Sequence, residues 1–156
     1  MAEKERKNIA DNRRARHDYF IEETFETGIV LSGTEVKSLR LGKGNLQDSY
    51  ARIANHELIL ENCHISPYDF GNRFNHEPLR PRKLLMHRRE IIRLFSKVRE
   101  QGLTLVPLKM YFNERGRVKV ELALVRGKKL HDKRDDVAKK DAAREVDRAL
   151  RDRQRS

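Results

Sequence analysis

The sequence predicts a mostly β protein with helices: a small antiparallel, OB-like β-barrel with about three helices and a C-terminal tail. Apolar and polar residues alternate in several short runs, as in half-buried strands. One clearly amphipathic helix separates these runs. After Gly127 only a thin stripe of small apolar residues remains, which is too little to form a core. A β-sandwich or another α+β fold would fit the same alternation nearly as well.

The first predicted elements are a strand and a short helix. Most apolar residues between Tyr19 and Leu31 share one parity, which indicates a half-buried strand or a bent pair of strands. A helix is predicted at about 34–41, because Ser32 and Glu35 have the spacing of a capping box and a glycine follows where the helix would end.

The middle of the chain predicts a hairpin and a long loop. Residues 50–54 and 58–65 alternate as strands around a turn at residues 55–57. Residues 69–82 hold a glycine and two prolines among polar residues, which favours a loop. A loop of that length in a compact domain is usually functional or mobile.

The second half predicts a helix followed by a hairpin. In HRREIIRLFSKVREQG an apolar stripe is formed by Ile91, Ile92, Leu94, Phe95 and Val98, and the opposite face carries Arg89, Arg93 and Lys97. Two alternating runs joined by NERG then predict a hairpin, with Pro107 at an edge or bulge. The residues expected to face each other are Val106, Leu108, Met110 and Phe112 on one strand and Val118, Val120, Leu122 and Leu124 on the other.

The charge of the chain points to a polyanionic partner. The sequence has 35 Lys and Arg against 24 Asp and Glu, a net charge of +11. Such an excess favours nucleic acid through long-range attraction and counterion release. The charge is also segregated: residues 18–71 carry 4 basic and 9 acidic residues, whereas residues 72–99 carry 9 basic and 2 acidic ones. We infer a protein that grips RNA with some surfaces and keeps others clear of it.

The sequence gives little support for a membrane protein or a secreted protein. No apolar run reaches the roughly 18 residues that a membrane span needs, and the basic N-terminus lacks the apolar segment of a secretory signal. Cys63 is the only cysteine, so an internal disulfide is impossible. The apolar stripe of the tail is mostly alanine, without the bulky anchors of a membrane-surface helix. We expect a cytoplasmic protein without a membrane partner.

Catalysis also finds little support. The six histidines are scattered, Cys63 and His64 lack the paired spacing of a zinc site, and no Gly-rich phosphate loop is present. A ribonuclease would need two acid–base groups that converge on a phosphate, and histidine pairs with lysine could in principle supply them. We expect a protein that is not an enzyme and needs no metal or cofactor.

Three groups of residues are candidates for RNA contacts before the tail. Glu26 could accept hydrogen bonds from a base or a ribose, or be a solvated residue on a strand. Leu85 and His87 lie among basic residues, where an apolar side chain and a flat ring suit unpaired bases; packing and helix initiation explain them equally well. The other candidates would contact phosphates or remain solvated: Lys37, Arg40, Lys43 and Arg89.

We expect three regions: a flexible basic arm at residues 1–17, an OB-like RNA-binding barrel at 18–126 and a basic tail at 127–156. Because the tail cannot bury an apolar face, it should be disordered alone and helical on a partner. Its HDKR motif offers a stacking ring, an acceptor and two cations, which suits a structured RNA. The tail candidates are Lys128, Lys129, His131, Asp132, Lys133 and Arg134.

Several segments together closely resemble one family, the SmpB family of bacterial tmRNA-binding (SsrA-binding) proteins. They are NRRARHDYFIEETFETGIVLSGTEVKSLRLGKGNLQDSYA, RKLLMHRREI and GRVKVELALVRGKKLHDKRDD, in that order. FETG, G-x-E-V-K-S-L-R, RKLL and GKK-x-HDKR are weak signals singly and very specific in combination. The resemblance runs from about Asn12 to Asp141.

The resemblance implies a non-enzymatic partner in trans-translation with an OB-like barrel. Proteins of this family bind the tRNA-like domain of tmRNA and bring it to the empty A site of a stalled ribosome; we expect a monomer in a 1:1 complex with tmRNA. The tail lies in the decoding centre and vacant mRNA channel, beside small-subunit ribosomal RNA, and becomes helical there. A general ribosome-associated or structured-RNA-binding protein is the alternative.

The same resemblance implies roles for single residues. Glu26, Leu85 and His87 match family residues that support tmRNA binding. His131 matches a tail histidine implicated in stacking on a decoding-centre base, and the neighbouring Asp132, Lys133 and Arg134 match the rest of that motif. Residues 141–156 match the family in character only, which implies a helix but no specific contacts.

Overall fold

The computed structural model describes residues 7–68 and 77–128, together with Ala142, Arg144, Glu145 and Arg148. The chain divides into two compact units, Met1–Arg126 and Gly127–Ser156. The four positions described after residue 128 are helical and exposed. Most of the predicted loop at 69–82 and most of the predicted tail helix lie outside the described residues.

The described residues form nine strands and three helices. The strands are β1 (Lys7–Asp11), β2 (Tyr19–Ile29), β3 (Gly44–Asn45), β4 (Tyr50–Ala54), β5 (Glu57–Glu61), β6 (His64–Ile65), β7 (Arg82–Leu85), β8 (Thr104–Phe112) and β9 (Val118–Gly127). The helices are α1 (Arg13–Asp18), α2 (Gly33–Arg40) and α3 (Arg88–Gln101).

Six of the strands close into a ring, which confirms the predicted barrel. The order is β8–β4–β5–β7–β2–β9, and β9 pairs again with β8. β1 pairs with β8 beside this ring, and β3 and β6 form a separate two-stranded sheet. The interior is filled by leucine, isoleucine, valine and methionine side chains, among them Leu58, Leu60, Leu84, Leu94, Met110 and Val120, all at most 1% exposed. Closing the ring leaves β1, and not a strand of the barrel, at the free edge of the sheet.

The β4–β5 hairpin forms as predicted, with Asn55 and His56 in the left-handed region at φ 52° and 61°. This turn geometry matches the twist of paired strands. The second strand is shorter than expected, because β5 ends at Glu61 and Asn62 adopts a φ of 59°. The remaining residues of the predicted strand form β6, which leaves the barrel to pair with β3.

The β8–β9 hairpin confirms the predicted partners near its turn. Met110 pairs with Val120 and Phe112 pairs with Val118. The register shifts immediately after Pro107, so the expected bulge at this proline is also confirmed. Proline cannot donate to the ladder, and a bulge is one of the few places within a sheet that tolerates it.

Beyond the bulge the predicted facing residues are wrong. An extra residue in one strand reverses which side chains point inward, so that Leu105, and not Val106, lies opposite Leu124. Val106 and Leu108 belong to a second apolar cluster with Ala15. The pattern suggested one buried face for β8, whereas the strand is buried on both faces.

A flexible arm was expected at residues 1–17. For residues 7–17 this expectation is wrong, since they contribute to β1 and α1. Asn12 caps α1 by accepting from the Ala15 amide, and its side-chain amide donates to the Pro107 carbonyl at 2.9 Å. Ala15 is 4% exposed against β8. The segment is held by the backbone pairing of β1, by the side-chain amide of Asn12 and by the methyl group of Ala15. None of these contacts produces a hydrophobic periodicity in the sequence.

Helix α2 has the predicted capping box. The Ser32 hydroxyl accepts from the Glu35 amide, and the Glu35 carboxylate accepts from the Ser32 amide at 3.0 Å. Leu39 is 1% exposed and Val36 packs partly against the core. The helix begins at Gly33, one residue earlier than predicted. Because Val36 and Leu39 face the core, the basic residues of the helix point outward.

Helix α3 ends as predicted, at Gly102 in the left-handed region. The expected apolar stripe is only partly buried: Ile91 and Leu94 are in the core, whereas Ile92 and Phe95 are 45% and 42% exposed. The helix rests on the barrel through a narrower face than a stripe of five apolar residues suggests.

Candidate nucleic-acid interface

The structure brings three predicted site residues into one surface depression, the Leu85 concavity. Glu26 comes from β2, Leu85 from the end of β7, and His87 from the residue before α3. The concavity has a volume of about 490 Å³ and is lined by Phe25, Glu26, Gly28, Leu85, Met86, His87, Glu90 and Lys119. Residues 59 to 61 positions apart in the sequence thus share one surface, since β2 and β7 pair directly.

Leu85 is the exposed apolar residue of this surface. In β7 the side chains of Arg82 and Leu84 are buried, while those of Lys83 and Leu85 point outward. Leu85 is 51% exposed, which is unusual for a leucine on a barrel strand. The position opposite it in β2 is Gly28, so no side chain there covers the leucine.

Two further depressions meet the Leu85 concavity at Leu85. One, of about 320 Å³, extends past Gly28 and Lys119 to Arg117 and Val36 of α2. The other, of about 400 Å³, extends to the β4–β5 turn and is lined by Asn55, His56, Glu57, Lys83, Leu84, Leu85, Met86, Arg88 and Ile91. Leu85 therefore lies on a shared rim, with basic side chains on both sides.

Arg117 and Lys119 are interface residues that sequence reasoning missed. They flank the inward-facing Val118 at the start of β9, and both line depressions that include Leu85. Their alternation with apolar residues is visible in the sequence, but it indicates only that they face outward. Which surface they share depends on the closure of the barrel between β9 and β2.

Glu26 is exposed and accepts a hydrogen bond from the hydroxyl of Tyr111 through Oε2. Tyr111 lies on β8 and is 6% exposed. No signal in the sequence connects these residues, because the contact crosses the intervening strand β9. The acidic acceptor expected at Glu26 is therefore held by a second residue.

The contact between α3 and β2 stabilises the neighbourhood of Glu26. Arg93 forms an ion pair with Glu23 at 3.1 Å, and Lys97 approaches the same carboxylate at 3.4 Å. The Arg93 guanidinium also lies 5.5 Å from the centre of the Phe25 ring, which lines the Leu85 concavity. Two of the three basic residues expected on the outer face of α3 thus contact β2 instead.

The basic candidates of the α2 region are exposed, as predicted. Lys37 lies 5.7 Å from the ring centre of Tyr68, and the Arg40 carbonyl accepts from the Lys7 ammonium at 3.5 Å. Lys43 follows the end of the helix. Among the described residues these three line none of the depressions at Leu85. They form a separate basic surface, the α2 surface. Helix α2 also carries Val36, which lines the depression of about 320 Å³.

Arg89 is exposed in the first turn of α3. Its neighbours Arg88 and Glu90 line depressions at Leu85, whereas Arg89 itself lines none of them. The structure therefore places Arg89 near the concavity without bringing it into the surface that Glu26, Leu85 and His87 share.

A buried ionic cluster fixes α2 to β7. The Arg82 Nε lies 2.6 Å from Glu35 Oε2, and the guanidinium also donates to the carbonyls of Cys63 and Pro78. Arg80 donates to both oxygens of Glu35. Burial alone would raise the pKa of Glu35, but hydrogen bonds from Arg80, the Ser32 backbone and Arg82 outweigh it and hold this pKa below its ordinary value.

The described part of the chain holds no group of three or more His, Cys, Asp or Glu residues arranged to bind a metal ion. Cys63 is fully buried, and burial raises the pKa of its thiol to about 11 although the nearby Arg82 lowers it. Within the same residues, no helix is long and apolar enough to cross a membrane.

The tail candidates fall at the limit of the described residues. Lys128 is partly buried at the end of the second described range. The other predicted tail contacts, Lys129, His131, Asp132, Lys133 and Arg134, lie outside the described residues.

Comparisons with known proteins agree with this fold. The model of the family described as SmpB protein matches residues 9–152. The SsrA-binding protein of Moorella thermoacetica is 71% identical over 96% of both chains, and that of Desulforamulus reducens is 65% identical over 99% of this chain and 96% of its own. A solved structure described as "tmRNA-SmpB: a journey to the center of the bacterial ribosome" is 57% identical with a TM-score of 0.66, and covers 81% of this chain and 92% of its own. The chain belongs to the SmpB protein family.

Proposed function

We propose that the protein is a tmRNA-binding adaptor of trans-translation. It binds the tRNA-like domain of tmRNA as a monomer, carries it to the A site of stalled ribosomes in the cytoplasm, and places its tail in the decoding centre and the empty mRNA channel. Ribosome rescue and tagging of the nascent chain follow. The observation that carries this proposal is the convergence of Glu26, Leu85 and His87 in one concavity of a chain from this family.

The chemistry of the Leu85 concavity suits unpaired bases. Leu85 supplies an exposed apolar surface for the face of a base, and His87 supplies a flat ring or a hydrogen bond beside it. Glu26 is an acceptor for base amines or a ribose hydroxyl. Such contacts read single-stranded loops, which are the parts of a folded RNA that expose base edges.

The basic residues around the concavity would contact the phosphate backbone. Lys119 of β9 lines it, and Arg117, just before β9, lines the adjoining depression. Further along the surface the proposed phosphate contacts are Lys37, Arg40, Lys43 and Arg89, all of them exposed. Phosphate contacts position an RNA without reading its sequence. The separate α2 surface therefore extends the contact area for a large RNA while the concavity provides the selectivity.

The tail is proposed to act on the ribosome and not on free tmRNA. Lys128, Lys129, Lys133 and Arg134 would meet ribosomal RNA phosphates, Asp132 would accept a hydrogen bond, and His131 would stack on a base. Because the tail would fold only in a vacant mRNA channel, its ordering would depend on the absence of a message.

We also propose that the protein acts by binding and not by catalysis. It belongs to the SmpB family, whose relatives are named SsrA-binding proteins, and the exposed apolar residue of its concavity is a leucine, whose side chain can pack on a base but cannot transfer a proton. RNA incubated with the purified protein should keep its length. Shortening that disappears in His87→Ala would instead identify a ribonuclease.

Sequencing of the RNA that co-purifies with the tagged full-length protein tests the main proposal. Strong enrichment of tmRNA over its share of cellular RNA is expected. A general ribosome-associated or structured-RNA-binding protein would instead carry ribosomal RNA in near-cellular proportion, and that result would reject the adaptor function.

A further inference from the structure

We propose that Tyr111 is a positioning residue for RNA binding: its hydroxyl holds the Glu26 carboxylate in the orientation that meets the RNA. This inference rests on the proposed role of Glu26 as an acceptor for tmRNA. It adds a residue of β8 to a surface that β2, β7, β9 and the start of α3 otherwise form.

Tyr111, Lys119 and Glu26 lie in one row across the adjacent strands β8, β9 and β2. Tyr111 of β8 pairs with Lys119 of β9. β9 neighbours β2 at the same level, where the Thr27 hydroxyl donates to the Val120 carbonyl at 3.1 Å. Thr27 and Val120 point inward, with 1% and 0% exposure, so the residues before them, Glu26 and Lys119, point outward.

Tyr111 can hold Glu26 because it is itself fixed. It is 6% exposed, and its strand pairs with β9 on one side and with β1 on the other, where Asn8 is its partner. Its ring has few rotamers and spans the width of the strand between it and Glu26. The hydroxyl therefore donates to Glu26 Oε2 from a defined position.

A fixed carboxylate binds better than a mobile one. An exposed glutamate samples several rotamers, and ordering them on RNA binding costs free energy. The bond from Tyr111 selects a rotamer before the RNA arrives. It engages the carboxylate through Oε2, on a side chain that lines the Leu85 concavity. Substitution of Tyr111 should therefore weaken RNA binding only while Glu26 is present.

The opposite explanation is that Glu26 serves Tyr111. A nearly buried tyrosine needs a partner for its hydroxyl, and Glu26 would then be a structural acceptor. The two explanations differ in what Tyr111→Phe changes: loss of a structural bond lowers the unfolding midpoint without changing RNA affinity, whereas loss of a positioning bond lowers RNA affinity as long as Glu26 is present.

The experiment is a double-mutant cycle on the full-length protein. The dissociation constant for the tRNA-like domain of tmRNA is measured for the wild type, Tyr111→Phe, Glu26→Ala and the double variant, together with the unfolding midpoint of each. We expect Tyr111→Phe to weaken binding by about three- to tenfold, the worth of one hydrogen bond. The double variant should bind as Glu26→Ala does, because the two losses are not additive.

Tyr50→Phe is the matched control, since Tyr50 is exposed on β4 and lines none of the depressions at Leu85; it should bind as the wild type does. Glu26→Asp is a second test that keeps Tyr111 intact. It retains the charge but withdraws the carboxylate by one methylene from the hydroxyl, and it should bind nearly as weakly as Glu26→Ala.

Three outcomes overturn the inference. Wild-type affinity of Tyr111→Phe or of Glu26→Asp, with Glu26→Ala weakened, would show that Glu26 needs no positioning and would leave the proposed function intact. Equal losses on substituting Tyr111 in both backgrounds would make its role structural. Wild-type affinity of Glu26→Ala would remove Glu26 from the interface, and this inference with it.

Discussion

Gly28 and Leu85 lie directly opposite each other in the β2–β7 pair, and a Cβ on Gly28 would come within 3.2 Å of the Leu85 Cβ. Real side chains rarely pack so closely, so any larger residue at position 28 must displace the leucine. The glycine therefore determines where an exposed apolar side chain stands on the surface that also carries Glu26 and His87.

Gly28→Ala should weaken tmRNA binding with little loss of stability. Side-chain rotation does not move the Leu85 Cβ, so β2 and β7 must separate by a few tenths of an ångström, and the exposed Leu85 side chain is turned off its rotamer at a cost of about 0.5–1.5 kcal/mol. Titration of the tRNA-like domain should show a loss of that order. Gly33→Ala is the matched control, since nothing lies within 4 Å of a Cβ there. Equal affinities for the two variants would contradict a defined position for Leu85.

The Glu35–Arg82 pair should contribute far more to stability than an exposed pair. The Arg82 side chain is fully buried and that of Glu35 is 5% exposed. Glu35→Gln leaves a buried guanidinium without its counter-charge and should cost about 3–5 kcal/mol in urea unfolding. The control, Glu57→Gln, breaks an exposed pair with Lys83 and should cost less than about 1 kcal/mol. Similar losses of unfolding free energy for the two variants would show that burial does not strengthen the Glu35–Arg82 pair.

The same pair predicts a pH dependence of stability. Because the pKa of Glu35 in the folded state lies below its ordinary value of 4.5, its ionised form stabilises the fold fully above about pH 4.5. That contribution is lost as the pH falls through the folded-state pKa. The stability difference between wild type and Glu35→Gln should therefore narrow below pH 4.5. A difference that stays constant down to pH 3 would contradict the ionic contribution.

Cys63 should be unreactive in the folded protein. Its pKa of about 11 leaves on the order of one thiol in a thousand ionised at pH 8, and the thiolate is the reactive form. Iodoacetamide should modify the denatured chain readily and the native protein hardly at all, as measured by mass spectrometry. Equally fast modification of both would mean that the β5–β6 region opens readily.

The tail should be separable from tmRNA binding. His131→Ala combined with Lys133→Ala should leave the affinity for free tmRNA unchanged, because the proposed tmRNA contacts all lie before residue 120. The same variant should block tagging on ribosomes stalled at the end of a truncated message. Loss of affinity for free tmRNA would show that the tail takes part in selecting the RNA.

Local signals predicted the elements whose causes are local. The capping box at Ser32, the turn at Asn55 and the left-handed glycine at the end of α3 all act within one turn of chain, and all three are present. The N-terminal strand and helix were missed because their stability comes from β8, far away in sequence. The partial exposure of the α3 stripe likewise depends on how much of the helix the barrel covers.

The candidate site was predictable residue by residue but not as a surface. Glu26, Leu85 and His87 were identified from local chemistry and a family resemblance, and the β2–β7 pairing then brings them together. Lys119 and Tyr111 were missed because their proximity to Glu26 arises only when β9 closes the barrel. Contacts across a closed barrel leave no periodic trace in the sequence.

The most direct test of the account is the affinity of full-length Leu85→Ala for the tRNA-like domain of tmRNA. Leu79→Ala is the control, since Leu79 is similarly exposed, 47% against 51%, and lies outside the concavity. The account predicts that Leu85→Ala loses about 1–2 kcal/mol of binding free energy, the worth of covering the exposed part of a leucine side chain with a base, while Leu79→Ala binds as the wild type does. Unchanged affinity for Leu85→Ala would contradict the central claim that this concavity holds the RNA.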